Sequence, residues 1–289
     1  MTTVLSFGGG KDSTCLVAID LERDRSAELL GLTRARLDEV FPSPDRIVFS
    51  DTGAEFDETY DNVEKVWQLT GDRFDLVAKD GETLTELTLR LGNVPVMGGG
   101  SHVCSKKFKG EVMARWAKQQ FPGETITWQI GIEANETRRA VFTPPKGDTA
   151  IYTYPLRELG LDRETLDRLL KDLGWGEIRK SSCTYCPFMS VEEIEELYRN
   201  DPEKWELCRR IEHKFEETAP IRYQTWIDAG RPVTKGKKQR APTGMWRLDS
   251  WAEGRRLFIK KIAGKQLTIE EWEQHFDGRD GLIAVQEAA

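Results

Sequence analysis

The sequence predicts an α/β protein with a doubly wound, mostly parallel five-stranded sheet and a helical C-terminal region. Three observations support this prediction. Short apolar segments rich in β-branched residues alternate with amphipathic segments through about residue 155. Glycine-rich or polar residues follow several of these apolar segments. From residue 161 onward, the apolar residues recur at helical spacing instead.

Each element is assigned from this periodicity. Strands are predicted at residues 3–7, 46–50, 74–78, 126–132 and 151–154. Helices are predicted at residues 13–19, 58–69, 82–91, 109–120, 162–173, 191–200 and 202–218. Because parallel strands need crossover connections, the alternation favours a parallel sheet, which binds its ligands at the carboxyl ends of the strands.

The change of pattern near residue 160 predicts two domains. Residues 1–160 form the α/β domain, and residues 161–289 form a helical, partly basic region that carries a Cys-x-x-Cys motif. Within the second domain, residues 230–244 are rich in Gly, Lys and Pro, so this stretch is predicted to be an exposed loop.

The composition indicates a cytoplasmic protein that does not interact with a membrane. The first strand is predicted to begin within three residues of Met1, without the basic and apolar segments of a secretory leader. No apolar run approaches the roughly 20 residues of a membrane helix. Five cysteines in a cytoplasmic chain of 289 residues favour free thiols or metal ligands over disulfides.

A glycine-rich loop, GGGKDS at residues 8–13, follows the first predicted strand. It departs from two familiar phosphate-binding patterns, because Lys11 precedes Asp12 where a Walker loop has Ser or Thr, and because position 13 is Ser where a dinucleotide fingerprint has Gly. Consecutive glycines still let backbone N–H groups converge, and the following helix adds the positive end of its dipole. The loop is therefore predicted to bind phosphate. The alternative is a tight turn with an exposed Lys11.

Polar residues also follow the second predicted strand, in the order Asp51, Thr52 and Gly53. In a sheet of this kind the carboxyl ends of the strands border the ligand, so these residues are predicted to lie beside it. A carboxylate there can help to hold Mg²⁺. The alternative role for Asp51 is that of a helix N-cap or turn residue.

Five ordered segments resemble motifs of the adenine nucleotide α-hydrolase-like enzymes, in the branch that includes phosphoadenylyl-sulfate (PAPS) reductase. The segments are GGGKDS (8–13), SDTGAEFDETYDNV (50–63), CSKKFK (104–109), GIEANETRRA (131–140) and YPLRELG (154–160). The resemblance covers about residues 3–190. One departure is Gly8, where the family has Ser.

The resemblance implies that the loop holds the β,γ-pyrophosphate of ATP while an acceptor attacks the α-phosphate. It implies catalytic roles for Lys11 and Asp12, with Asp12 or Asp51 holding Mg²⁺. Arg138 and Arg139 are implied to clamp the reacting phosphate, with a solvated helix charge as the alternative for one of them. Nucleotide contacts are implied for Ser6, Gly8, Gly9, Gly10, Lys11, Asp12, Ser13, Asp51, Thr52, Gly53, Lys109, Gly131 and Glu136.

Four of the cysteines are candidate metal ligands. Cys183 and Cys186 form a Cys-x-x-Cys motif, a spacing at which two thiolates can bind one metal centre. The resemblance adds Cys104, because several relatives carry an iron–sulfur cluster at similar cysteines. Cys208 is either a fourth ligand or a core residue, and Cys15 is predicted to be core. A [4Fe-4S] cluster is the first prediction, with structural zinc or a redox dithiol as alternatives.

The formal net charge of −7 is unevenly distributed. Residues 222–265 contain twelve Lys or Arg and three Asp or Glu, so this basic segment carries +9 and the remainder −16. Tyr223, Trp226, Trp246 and Trp251 lie among its cations. Because cations bind phosphates and aromatic rings stack on unpaired bases, the segment is predicted to contact nucleic acid. The alternative is an ordinary solvated face with core tryptophans.

Two absences argue against a sulfonucleotide reductase: no cysteine follows Cys208, and Ser105 stands beside Cys104. The predicted activity is ATP-dependent adenylation of a nucleic-acid phosphate or base for sulfur insertion, with DNA phosphorothioation of the Dnd/Ssp type as the first choice. A cysteine desulfurase is the predicted sulfur donor. The alternatives are tRNA thiolation, a PAPS reductase-like oxidoreductase, and an ATP-sensing nucleic-acid-binding protein with structural zinc.

Overall fold

A computed structural model describes residues 1–94, 97–98, 101–136, 149–230 and 256–287. In these ranges nine strands form one five-stranded parallel sheet and two small antiparallel ribbons. The strands are β1 (Thr2–Phe7), β2 (Arg46–Asp51), β3 (Phe74–Ala78), β4 (Met97–Gly98), β5 (Ser101–His102), β6 (Ile126–Ile130), β7 (Ile151–Thr153), β8 (Lys261–Ile262) and β9 (Lys265–Gln266). The parallel sheet has the order β3-β2-β1-β6-β7, so the predicted fold class and all five predicted strands are confirmed.

Helices make up most of the remaining regular structure. They are α1 (Lys11–Leu21), α2 (Arg23–Leu30), α3 (Arg34–Val40), α4 (Asp57–Thr70), α5 (Leu84–Leu91), α6 (Glu111–Gln120), α7 (Pro155–Glu158), α8 (Arg163–Asp172), α9 (Val191–Asn200), α10 (Pro202–Asp228) and α11 (Ile269–Glu287). A 3₁₀ turn at Gly71–Arg73 and a π-helical segment at Cys104–Gly110 complete the described elements. No helix in the described ranges is long and apolar enough to cross a membrane.

Strand β1 occupies the centre of the sheet, and its side chains serve two cores. Leu5 and Phe7 pack on one face with residues of α1, α4 and α8, whereas Val4 packs on the other with Trp116 of α6 and Trp128 of β6. All five side chains are buried. Strand β1 is thus apolar on both faces, as expected of a parallel strand that is covered on both sides. The strand order reverses between β1 and β6, and such a switch point is where open α/β sheets bind ligands.

The chain divides into two compact units, and neither is continuous in sequence. The first unit comprises residues 1–80 and 107–182, and the second comprises 81–106 and 183–289. The predicted boundary after residue 160 therefore lies inside the first unit. Helix α8, which the sequence placed in the second domain, packs against α1 through Leu166, Leu169 and Leu170.

The second unit has an aromatic core of its own. Trp205 of α10 stacks on Phe258, and Tyr198 of α9 and Trp272 of α11 both stack on Phe276. These contacts hold the residues after position 255 against the helices before position 228.

Four helices were missed by the sequence prediction: α2, α3, α7 and α11. The first two are short and strongly charged, so they give little apolar periodicity. Arg23 of α2 is buried and binds Asp20, Asp38 of α3 and the Phe41 carbonyl oxygen, which shows that a polar network stabilises this corner. The predicted loop at 230–244 lies, apart from residue 230, outside the described residues.

Candidate functional site

The glycine-rich loop connects β1 to α1, and the hydroxyl of Ser13 closes it. The Gly8 N–H donates to Ser13 Oγ at 3.0 Å, and Ser13 Oγ donates to the Gly10 carbonyl oxygen at 3.1 Å. The Thr14 hydroxyl also donates to Gly10 O, at 2.9 Å. Helix α1 begins at Lys11. Its N-cap residue is Gly10, which has no side chain that could accept a hydrogen bond from the first turn. The first N–H groups of a helix point out of its N-terminal end, an arrangement that in general favours anions.

The three glycines of the loop differ in what they require. Gly9 has φ +72°, and a Cβ atom there would lie 2.6 Å from Cγ2 of Thr59. A Cβ atom on Gly10 would lie 2.6 Å from Oγ of Ser181, a residue that the sequence analysis did not single out. At Gly8 the nearest atom is 3.8 Å away, so this position has room for the Ser of the family motif.

Asn62 of α4 holds the loop through hydrogen bonds, and the sequence had not indicated this role. Its Nδ2 atom donates to Gly9 O at 2.9 Å and to Thr14 Oγ1 at 2.7 Å. The side chain is buried, and its Oδ1 atom has no hydrogen-bond partner. The signal available in the sequence was an Asn on the buried face of an amphipathic helix, between Thr59 and Val63.

Gly131, which follows β6, lies against the start of α1. A Cβ atom at this position would lie 2.8 Å from the Ser13 amide nitrogen and 2.9 Å from the Asp12 carbonyl carbon. The glycine is therefore required for the close approach of two backbones, which is independent of its predicted contact with a nucleotide.

The two charged residues of the loop form ion pairs with α8. Lys11 Nζ pairs with a carboxylate oxygen of Asp167. Asp12 Oδ1 accepts a hydrogen bond from Arg163 at 2.7 Å. Arg163 and Asp167 stand one helical turn apart, and the sequence analysis assigned neither a role. A charged pair at i, i+4 is common on helix surfaces, so it gives no signal without the fold.

Asp51 ends β2 and organises the turn that follows. Its Oδ1 atom accepts from the Gly53 N–H and from the Tyr60 hydroxyl, both at 2.8 Å. Burial raises the pKa of the Tyr60 phenol well above its usual value, and the hydrogen bond to Asp51 raises it further. Gly53 has φ +67°, which explains a glycine at this position. These contacts are those of the turn residue that the sequence analysis gave as the alternative for Asp51.

Lys109 and Thr52 both contact Glu55, a buried acid near the end of β2. Lys109 Nζ lies 3.0 Å from Oε1 of Glu55, and the Thr52 hydroxyl donates to the same atom at 3.1 Å. The Glu55 side chain is 0% exposed, and its Oε2 atom has no hydrogen-bond partner. The described contacts therefore give Lys109 the role of a counter-ion to a buried carboxylate.

For the other residues predicted to contact the nucleotide, the described contacts are with neighbouring protein atoms. The Ser6 hydroxyl points to the sulfur of Met113 at 3.6 Å. Glu136 donates its backbone N–H to Glu133 O at 3.2 Å and is partly buried. Arg138 and Arg139 lie outside the described residues.

The four candidate metal ligands all belong to the second unit. Cys183 and Cys186 bracket a turn in which the Cys186 N–H donates to Cys183 O at 3.0 Å, and both side chains are partly exposed, as is Cys104. Next to these segments, His102 packs edge-on against Phe188, with the ring centroids 4.9 Å apart. In the described ranges, no group of three or more His, Cys, Asp or Glu side chains is arranged to hold a metal ion.

Cys208 differs from the other three candidates. It is fully buried, and its thiol donates to Thr184 O at 3.6 Å. Burial raises the pKa of this thiol well above its usual value, and the negative charge of Glu212 adds to the shift. A metal ligand must be a thiolate, so these features favour the alternative of a core residue. Cys15 is buried as predicted.

The basic segment at 222–265 is described only at its two ends. Arg222 donates to the carbonyl oxygens of Leu91 and Gly92 at the C-terminus of α5. Arg256 pairs with Glu216, and Lys265 pairs with Glu271. These three cations thus have partners inside the protein. Trp246, Trp251 and most of the cations lie outside the described residues, as do the side chains of Tyr223 and Trp226.

A comparison with curated proteins finds a distant similarity. No family model matches the chain. The chain is 24% identical over 254 residues to the uncharacterized protein MJ0066 of Methanocaldococcus jannaschii. The match covers 82% of this chain and 46% of that protein, so the chain spans about half the length of the curated relative it matches. The relative's name states no activity.

Proposed function

We propose that the protein is an ATP pyrophosphatase that adenylates a nucleic-acid phosphate or base for sulfur insertion, most specifically in DNA phosphorothioation. The observation that carries the proposal is the glycine loop at the sheet's switch point, where uncapped N–H groups of α1 stand beside Lys11. Backbone amides with a helix dipole and one lysine form a phosphate-binding arrangement that does not require a Walker motif.

The chemistry assigned to this loop is retention of a leaving group. An acceptor oxygen attacks the α-phosphorus of ATP, the bond from that phosphorus to the bridging oxygen of the β-phosphate breaks, and pyrophosphate leaves. The amides of residues 11–13 and the Lys11 ammonium stabilise the charge that develops on pyrophosphate. Arg138 and Arg139 are proposed to hold the α-phosphate.

The residues present fit Mg²⁺ and ATP. Asp12 and Asp51 offer carboxylate oxygens next to the proposed phosphate site, and Mg²⁺, when bound, would neutralise phosphate charge. Thr59 and Ser181 already fill the space beside Gly9 and Gly10, so the ligand would contact the loop from the side of the amides at the start of α1.

The sulfur-handling part of the proposal rests on Cys104, Cys183 and Cys186. The three partly exposed thiols are proposed as the protein ligands, and Cys208 is left out because it is buried and burial raises the pKa of its thiol. A [4Fe-4S] cluster or zinc would be held by these three residues. A cysteine desulfurase is the proposed sulfur donor, and the proposed location is the cytoplasm.

The decisive experiment is analysis of the products formed from α-labelled ATP by protein purified without oxygen, with Mg²⁺ and either DNA or tRNA. AMP and pyrophosphate formed in response to DNA are expected. Lys11→Ala should abolish cleavage, whereas Lys171→Ala, an exposed lysine on α8, is the matched control. Stimulation by tRNA alone would reassign the acceptor.

The other outcomes identify the remaining alternatives. No cleavage of ATP, together with turnover of PAPS by a thiol reductant, would replace the proposal with a sulfonucleotide reductase. ATP binding without cleavage, with zinc and no iron or sulfide in the protein, would indicate an ATP-sensing protein.

A further inference from the structure

Helix α8 presents two charged residues to the glycine loop. Arg163 and Asp167 are separated by one turn, and the apolar residues Leu166 and Leu170 between and beyond them anchor the helix in the core. Because these leucines are buried, the turn that carries Arg163 and Asp167 is fixed beside the start of α1.

The contacts form two ion pairs of opposite polarity. The loop cation, Lys11, pairs with the helix anion, and the loop anion, Asp12, pairs with the helix cation at 2.7 Å. The loop side chains are 20% and 13% exposed, whereas Asp167 and Arg163 are 49% and 44% exposed. The helix partners therefore reach the loop from the solvent side.

This arrangement competes with phosphate binding. Lys11 cannot neutralise a phosphate fully while Asp167 is paired with it, because the carboxylate already offsets the ammonium charge and repels the anion. A ligand that brings only negative charge must displace Asp167. A ligand that also brings a divalent cation offers the displaced carboxylate a new partner, since Mg²⁺ prefers carboxylate and phosphate oxygens.

We propose that Arg163 and Asp167 form a charge-exchange site with Lys11 and Asp12. In the nucleotide-free protein the four side chains neutralise one another. When a Mg²⁺-complexed pyrophosphate group binds, Lys11 and Arg163 turn to phosphate oxygens, while Asp12 and Asp167 turn to the cation. This inference rests on the proposed function. It adds two residues of α8 to the pyrophosphate site, and it makes tight binding of pyrophosphate depend on Mg²⁺.

The test is calorimetric binding of pyrophosphate to the full chain, once with EDTA and once with Mg²⁺. Asp167→Asn should bind pyrophosphate about two- to fivefold more tightly than wild type in EDTA, because Lys11 is released from an exposed ion pair. With Mg²⁺ this gain should disappear or reverse. Arg163→Gln should bind about tenfold more weakly in both conditions, because a charge-assisted hydrogen bond to phosphate is lost.

Matched controls are available on the same helix. Asp172→Asn and Arg168→Gln make the same chemical changes at exposed positions of α8 and should leave both affinities at the wild-type value. Thermal unfolding of all variants checks that each is folded.

The outcomes separate this inference from the proposed function. If wild type binds pyrophosphate or ATP but Asp167→Asn matches Asp172→Asn in both media, the exchange is overturned alone. Equal weakening of Asp167→Asn in both media would also overturn it, since the carboxylate would then only orient Lys11. If wild type binds neither ligand, the exchange and the proposed function fail together.

Discussion

The glycine loop of the first unit and the cysteine-bearing segments of the second differ in how their predicted residues are held. In the loop, contacts within about 3 Å constrain Gly8, Gly9, Lys11, Asp12 and Ser13. Among the four candidate metal ligands only Cys208 is buried, and its burial opposes metal binding. A contiguous motif thus carries most of its geometry with it, whereas a ligand set drawn from distant segments depends on how the tertiary structure turns each side chain.

The largest effect is expected at Gly9. Gly9→Ala places a Cβ atom 2.6 Å from Thr59 at φ +72°, so the free energy of unfolding should fall by about 3 kcal/mol. Gly8→Ala is the control, since its nearest contact is 3.8 Å, and it should change stability little. Urea unfolding measures the free energy of unfolding of both variants. Equal losses of stability would contradict the inference that Gly9 is required and Gly8 is not.

The second prediction concerns the pH dependence of stability, which is expected from Glu212 in the second unit. Burial raises the pKa of Glu212 to about 7 from 4.5, against the opposing effect of hydrogen bonds from the Leu257 and Ile269 amides. The folded state therefore binds this proton more tightly than the unfolded state does. The group's stabilisation is complete below about pH 4.5 and is lost as the pH rises through about 7, by up to about 3 kcal/mol.

Glu212→Gln tests this prediction, with Glu217→Gln, an exposed residue of the same helix, as the control. Around Glu212, Arg256 favours its charged form and Glu216 opposes it. The difference in unfolding free energy between Glu212→Gln and wild type should grow as the pH rises from 5 to 8. A difference that is flat over this range would show that the carboxylate does not titrate there.

The third prediction concerns the buried acid beside the candidate nucleotide pocket. Lys109→Met removes the cation 3.0 Å from a carboxylate that is 0% exposed, so stability should fall by about 2 kcal/mol. Glu55→Gln in the same protein should restore most of the loss. If ATP affinity falls in Lys109→Met and returns in the double variant, Lys109 acts through Glu55 and does not itself contact the nucleotide.

The smallest changes in stability are expected for substitutions of the cysteines. The metal content of the purified protein distinguishes a ligand from a core cysteine. Cys208→Ala should cost about 1 kcal/mol, as for a small buried deletion, and leave the metal bound by protein purified without oxygen unchanged. Cys183→Ser should leave stability nearly unaffected apart from the metal and should reduce its content. Loss of metal in both variants would make Cys208 a ligand after all.

Much of the sheet could be read from the sequence because parallel strands and their crossover helices are local features. The five strands were predicted within two residues of their ends, and the glycine loop lies where the motif indicated. The roles of Arg138, Arg139, Glu136 and the three partly exposed cysteines stay predictions. The helices at 23–30 and 34–40 escaped prediction because polar contacts, not apolar periodicity, stabilise them.

The sequence by itself determined the α/β class, the position of the loop and the residue types that face it, since these follow from periodicity over neighbouring residues. Only the tertiary structure decided which distant side chains complete the site. Asn62 reaches the loop from α4, and Arg163 and Asp167 reach it from α8, about 150 residues after Lys11. It also made the compact units discontinuous. The physical reason is that hydrogen bonds and ion pairs act over a few ångströms in space, whatever the separation along the chain.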